Sequence, residues 1–168
     1  MSWNEGGAID AREAPGRWLQ VLKQIAIGSG LMIITTFVHA GGTIAALWAL
    51  RIAHAADWGL RSRWTRTSLV SALVLMMFFA MILEVCIWAA TYLVVGAMPA
   101  LEPALYFSTV TFTTLGYGDL TLGESWRLLG SFEAANGIIL IGWTSALIFA
   151  FVHRLAAYDE ALVPTRDP

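Results

Sequence analysis

The chain is short of charge, of cysteine and of any surplus of one charge sign. Charged residues are 13% of its 168 positions, about half the ~25% usual in globular proteins. Apolar residues reach 58% before the 15 glycines are added. With 12 acids against 10 bases, there is no basic excess to draw the protein to a phosphate backbone, so nucleic acid is not an expected partner. The lone cysteine, Cys86, excludes an intramolecular disulfide, and no Cys/His cluster has metal-ligand spacing. A nucleophile–base set and a phosphate-cradling glycine loop are both missing, so neither an enzyme nor a bound cofactor is expected. No helix repeats arginine at every third position, which excludes a voltage sensor of the ladder type. Nor is there an internal repeat of the kind from which inverted-repeat transporters are built.

What charge there is falls outside three long apolar runs. Residues 25–50, 68–96 and 128–152 hold only two acids, Glu84 and Glu133, and no base. Each run exceeds the ~20 residues that cross a bilayer as helix, and as helices they would measure roughly 37–43 Å, enough to span with tilt. The expected fold class is an all-α membrane protein with three transmembrane helices. A cleaved signal peptide is not expected, because the first run is too long for its apolar core.

Charge placement orients the helices. The connector 51–67 carries Arg51, Arg61, Arg63 and Arg66 against Asp57, whereas the segment 97–127 has one base, Arg127. Positive charge stays inside, so the connector is expected in the cytoplasm and the second segment outside. The tail, 156–168 with Arg166, then falls in the cytoplasm and the polar segment 1–24 outside, despite its Arg12, Arg17 and Lys23. Trp48, Trp58 and Trp64 cluster at the expected cytoplasmic ends, as interfacial aromatics do. A multi-pass protein of the cell membrane is the expected localisation.

The outer segment is too apolar for a free loop. Glu102-Pro103 reads as a helix start, with proline suited to the first turn and the acid to the positive end of the dipole. A half-helix is expected over 103–113, re-entering the bilayer from outside. It ends in Thr113-Thr114-Leu115-Gly116-Tyr117-Gly118-Asp119. Non-helical backbone at membrane depth survives only where protein buries it or where it lines a hydrated path. Gly116 and Gly118 can take positive φ cheaply, which lets successive carbonyls turn toward one axis.

This stretch resembles the potassium-channel pore-loop superfamily. Thr114, Gly116, Tyr117, Gly118 and Asp119 match its filter, and a threonine-rich half-helix over 108–113 precedes them. The resemblance covers about half of the chain, 68–155, and implies an outer helix, a half-helix 103–113, a filter 114–119 and an inner helix 128–152. It implies that the carbonyls of Thr114, Leu115, Gly116 and Tyr117, with the Thr114 hydroxyl at the inner end, replace the hydration shell of potassium ions, with Gly118 closing the strand. Asp119 is then expected to brace the filter from behind. Eightfold carbonyl coordination needs four such loops, so the resemblance implies a homotetramer in the lipid bilayer. Two positions depart from the family. Leu115 stands where a β-branched residue is usual, and Val110 stands where some relatives place a glutamate that partners the aspartate. Tyr106 and Trp126 are the alternative braces.

The spanning helices add polar candidates. Glu133, Asn136, Gly137, Leu140 and Thr144 share one face of the third helix. Asn136 and Thr144 are expected to line the aqueous cavity, while Glu133 either approaches the back of the filter or is buried against the half-helix. By resemblance Gly137 is a candidate gating hinge, although close helix packing explains a glycine equally well. His39 and Glu84 lie at similar depth in the first and second helices, so an intramembrane pair is open to them. That pair would serve either as a pH-responsive contact or as a structural one. The function expected is a tetrameric potassium-selective channel. A weakly selective monovalent cation channel and a non-conducting regulatory membrane subunit stay open as alternatives.

Overall fold

The computed structural model describes residues 14–55 and 62–160. Four helices follow in order: α1 (Ala14–Ala55), α2 (Arg63–Val94), α3 (Leu101–Phe112) and α4 (Arg127–Glu160). Among the described residues there is no strand. Three segments, Gly16–Ile52, Trp64–Val94 and Arg127–Leu155, are long and apolar enough to cross a bilayer. The chain is an all-α membrane protein.

Hydropathy marks the part of a helix inside hydrocarbon and not where its backbone ladder stops. Thus α1 begins at Ala14, ahead of the apolar run at 25, and takes Pro15 into its first turn, where a missing N–H costs nothing. Residues 51–55 and 63–67 of the expected connector are helical too, as are 156–160 of the expected tail. Arg12, Asp57, Trp58, Arg61 and Arg166 lie outside the described residues.

α1 and α4 run parallel. Gln24 Oε1 accepts from the Leu128 and Leu129 amides at 3.0 and 3.2 Å, and further along the same pair of helices Asn136 Nδ2 donates to Thr35 Oγ1 at 2.8 Å. α2 runs against both, with Gly42 of α1 beside Ala80 and Met77. At the start of α4 a β-carbon on Gly28 would stand 2.7 Å from the Phe132 ring. Glycines allow this approach, and close packing together with interhelical hydrogen bonds associates helices in lipid, where no hydrophobic drive remains between them.

α2 ends at Val94, and Gly96 just past its C-cap has a φ of 70°, which suits the left-handed residue that closes a helix. The Ala97 and Met98 amides return to the Tyr92 carbonyl at 2.8 and 3.2 Å, turning the chain back toward the helices. α3 then descends between α2 and α4 without touching α1. Its 12 residues measure about 18 Å, half a bilayer. Phe107 meets Tyr92 edge-on at 5.2 Å, and around them Trp88, Phe112, Leu129 and Leu140 form one core. A second core, Ala46, Leu50, Leu73, Met77, Phe151 and Leu155, closes the opposite end.

Candidate functional site

The segment after α3 alternates its handedness. Thr114, Gly116 and Gly118 have φ of 60°, 57° and 77°, while Leu115 and Tyr117 between them do not enter the positive region. Alternating right- and left-handed residues turn successive peptide N–H groups to one side and therefore successive carbonyls to the other. The amides are occupied: Thr114 N donates to Thr111 O at 3.0 Å, and Leu115 N and Gly116 N converge on Val110 O at 2.9 and 3.2 Å. No group among the described residues donates to the carbonyls of residues 114–118. Thr114 is the residue the glycine-based expectation missed. A β-branched side chain at positive φ is an outlier that costs about 1–3 kcal/mol, and its amide bond to the last turn of α3 helps hold it there.

The site is open in the single chain. Residues 113–121 are all exposed, with Leu115 at 54% and Tyr117 at 68%. Asp119 is held from behind: Tyr106 Oη donates to its Oδ2 at 2.7 Å, and its Oδ1 accepts from the Leu120 amide at 3.0 Å. The hydrogen bond from Tyr106 holds the Asp119 carboxyl below the usual aspartate range. Tyr106 is therefore the brace of the two expected, and Trp126 packs against the core instead. Val110, where a glutamate was missing, contributes its backbone carbonyl to the turn.

The polar stripe of α4 shares one face, and that face looks into the protomer. Glu133 is buried and accepts from Ser108 of α3 and from Tyr92 of α2. Ser108 Oγ also reaches the Val85 carbonyl at 2.9 Å. Glu133 thus ties the half-helix to both helices around it.

Asn136 and Thr144 do not point toward a central cavity. Asn136 bonds Thr35, and Thr144 Oγ1 lies 3.1 Å from His39 Nε2. The expectation fails because α1, absent from the resemblance, supplies polar partners on that side. Gly137 abuts Phe112: a β-carbon there would overlap the Phe112 carbonyl oxygen and stand 2.8 Å from its carbon. Close approach explains this glycine without a hinge. His39 Nδ1 lies 3.0 Å from Glu84 Oε1, with both side chains fully buried.

Sequence reading also passed over Gln20, Gln24 and Thr35, although their steps of four and eleven along α1, with Gly28 and His39, put them on one stripe. Gln20 Nε2 donates to the Ser125 carbonyl at 2.7 Å, beside the Gln24 contact that caps α4. Ser131, Ala135, Ile138, Gly142 and Phe149, on the opposite face of α4, are exposed.

A family model described as "Ion channel" matches residues 71–154, which is half of the chain, from α2 to α4 and without α1. No curated protein and no solved structure gives a match. Membership points to ion transport rather than catalysis. The chain belongs to the ion-channel family, in the potassium-channel pore-loop superfamily.

Proposed function

We propose that four copies of this chain form a potassium-selective channel, with filter carbonyls of Thr114, Leu115, Gly116 and Tyr117 and the Thr114 hydroxyl as the ion ligands. The observation behind this reading is the alternation of positive φ at Thr114, Gly116 and Gly118, which leaves a row of unbonded carbonyls on one side of the strand. Such a row can replace an ion's water shell once four strands surround one axis. The exposure of residues 113–121 and of one face of α4 leaves both free to meet further copies; the count of four comes from the coordination the filter needs. In that assembly Ser131, Ala135, Ile138 and Gly142 face neighbours or the cavity, and the C-terminus of α3 directs its partial negative charge at the cation path. Conduction is passive, and potassium is the cargo.

Orientation follows from charge. Arg51, Arg66 and Arg154 lie at the end of the bundle away from the filter, and that end is cytoplasmic by the positive-inside rule. The filter mouth opens outside a cell membrane. The test is a reversal potential in mixed potassium and sodium on protein in liposomes, repeated for Tyr117→Asp. A potential near the potassium limit that collapses in the variant supports the reading. Equal permeation of both ions in wild type would transfer it to a weakly selective cation channel. Absence of flux, also in an inner-helix variant built to stay open, would leave a non-conducting subunit.

A further inference from the structure

α1 lies outside the family match, yet its buried polar side chains are all bonded into the pore helices. The deepest contact is a chain of three groups from three helices. Glu84 Oε1 of α2 lies 3.0 Å from Nδ1 of His39 of α1, and Nε2 of His39 lies 3.1 Å from Thr144 Oγ1 of α4. We propose that Glu84, His39 and Thr144 form a protonation-controlled latch that holds α1 against the outer and inner helices and releases it on acidification. The latch is a property of the single chain, and only its effect on conduction rests on the channel reading.

The proton count makes the geometry switchable. With one proton on the line between Glu84 and Nδ1, and another on Nε2 donated to Thr144, the cluster is neutral. The shared proton can then sit on either atom without moving a side chain. A further proton leaves one net positive charge between three apolar helices, where charge is expensive. It goes to Glu84 Oε2, which is buried without a hydrogen-bond partner, so no acceptor meets it. Separation of α1, with entry of water, relieves both penalties.

No other titratable group answers that charge. His39 is faced by Glu84 from α2 and, from α4, by Thr144 and the Trp143 ring, edge-on at 5.4 Å. α3 does not reach α1. Glu133 is about three turns away along α4 and is already bonded to Ser108 and Tyr92. His153 is exposed near the far end of α4. Thr144 is only half-buried, so it is the member of the chain nearest the surface of the single protomer.

The experiment uses the full chain in liposomes, wild type and His39→Gln, between about pH 6 and about pH 3.5, the range in which a glutamate that has left its partner takes up a proton. Three quantities are read: open probability, thermal melting of the assembly, and the 13C resonance of the Glu84 carboxyl. The expected result is a several-fold change in open probability and a lower melting temperature on acidification, both much weaker in His39→Gln, with Glu84 gaining a proton over the same interval. The same pH response in wild type and His39→Gln, no response in wild type, or a Glu84 carboxyl signal unchanged across the range would each overturn the latch. The resonance measurement leaves the latch residues intact, so it decides even if His39→Gln does not fold. Melting and resonance need no conduction. If they respond while no ion passes, the channel reading fails and the latch stands. If ions pass while both stay flat, the latch fails and the channel reading stands.

Discussion

Gly137 lies directly against the carbonyl of Phe112, so the inner helix touches the last turn of the half-helix through bare backbone. A β-carbon on Gly137 would overlap that oxygen, and neither partner is the free end of a flexible side chain. Gly137→Ala must therefore push α3 and α4 apart, at a cost of about 1–3 kcal/mol for an overpacked core. The expected outcome is a lower melting temperature together with altered conduction, because the turn that sets Thr114 is displaced too. A variant with unchanged melting and shifted open probability alone would restore the hinge reading.

Glu133 is the second fastening of the half-helix. Tyr92→Phe removes one of its two donors and leaves a carboxyl oxygen buried without a partner, which costs about 1–3 kcal/mol. Glu133→Gln keeps the side chain's shape and its capacity to bond both hydroxyls, so it is expected to be milder than Glu133→Leu. A double-mutant cycle of Tyr92→Phe with Glu133→Leu, read by thermal unfolding, should give a coupling of about 0.5–3 kcal/mol. Additive losses would show that the contact contributes nothing of its own.

The spans, the short helix α3 and the positive-φ turns at Gly116 and Gly118 were legible because each rests on a local signal: run length, a Glu-Pro start, and glycines spaced by two. The shared face of Glu133, Asn136, Gly137, Leu140 and Thr144 was legible for the same reason. Its direction was not. Periodicity tells which residues lie together and says nothing of the neighbour that covers them, and here the neighbour is α1, about a hundred residues away in sequence. Asn136 and Thr144 looked like cavity residues only while Thr35 and His39 were not known to oppose them. Thr114 hid for a different reason. Local preference argues against positive φ at a β-branched residue, and the hydrogen bonds to the end of α3 override it.

Gln24 gives α1 a structural task at the start of α4. Its Oε1 accepts from the Leu128 amide, a donor that the first turn of α4 cannot satisfy itself, and shares the Leu129 amide with the Trp126 carbonyl. Gln24→Ala should cost about 0.5–2 kcal/mol, as the loss of an N-terminal cap does. Gln24→Glu keeps the acceptor and adds negative charge at the positive end of the helix dipole, so it should melt no lower than wild type. Thermal unfolding of the two variants side by side checks the order. Equal melting would show that water replaces the cap freely.

Under the proposed function, the Tyr106–Asp119 hydrogen bond sets how far into acid the channel conducts. The phenol favours the ionised carboxyl and holds its pKa below the ordinary aspartate value. A group whose pKa is depressed by its folded contacts stabilises those contacts above that pKa and stops doing so as pH falls through it. Wild-type conduction should therefore persist into acid beyond the ordinary range of an aspartate, as far as this site limits it. Tyr106→Phe removes the largest cause of the depression, so the acid limb of the flux profile should move to higher pH. Because Asp119 is exposed and Tyr106 only half-buried in the single chain, little change in melting of the protomer is expected near neutral pH. Flux measured against external pH for wild type and Tyr106→Phe separates the possibilities, and coincident acid limbs would mean that Asp119 does not set the limb at all.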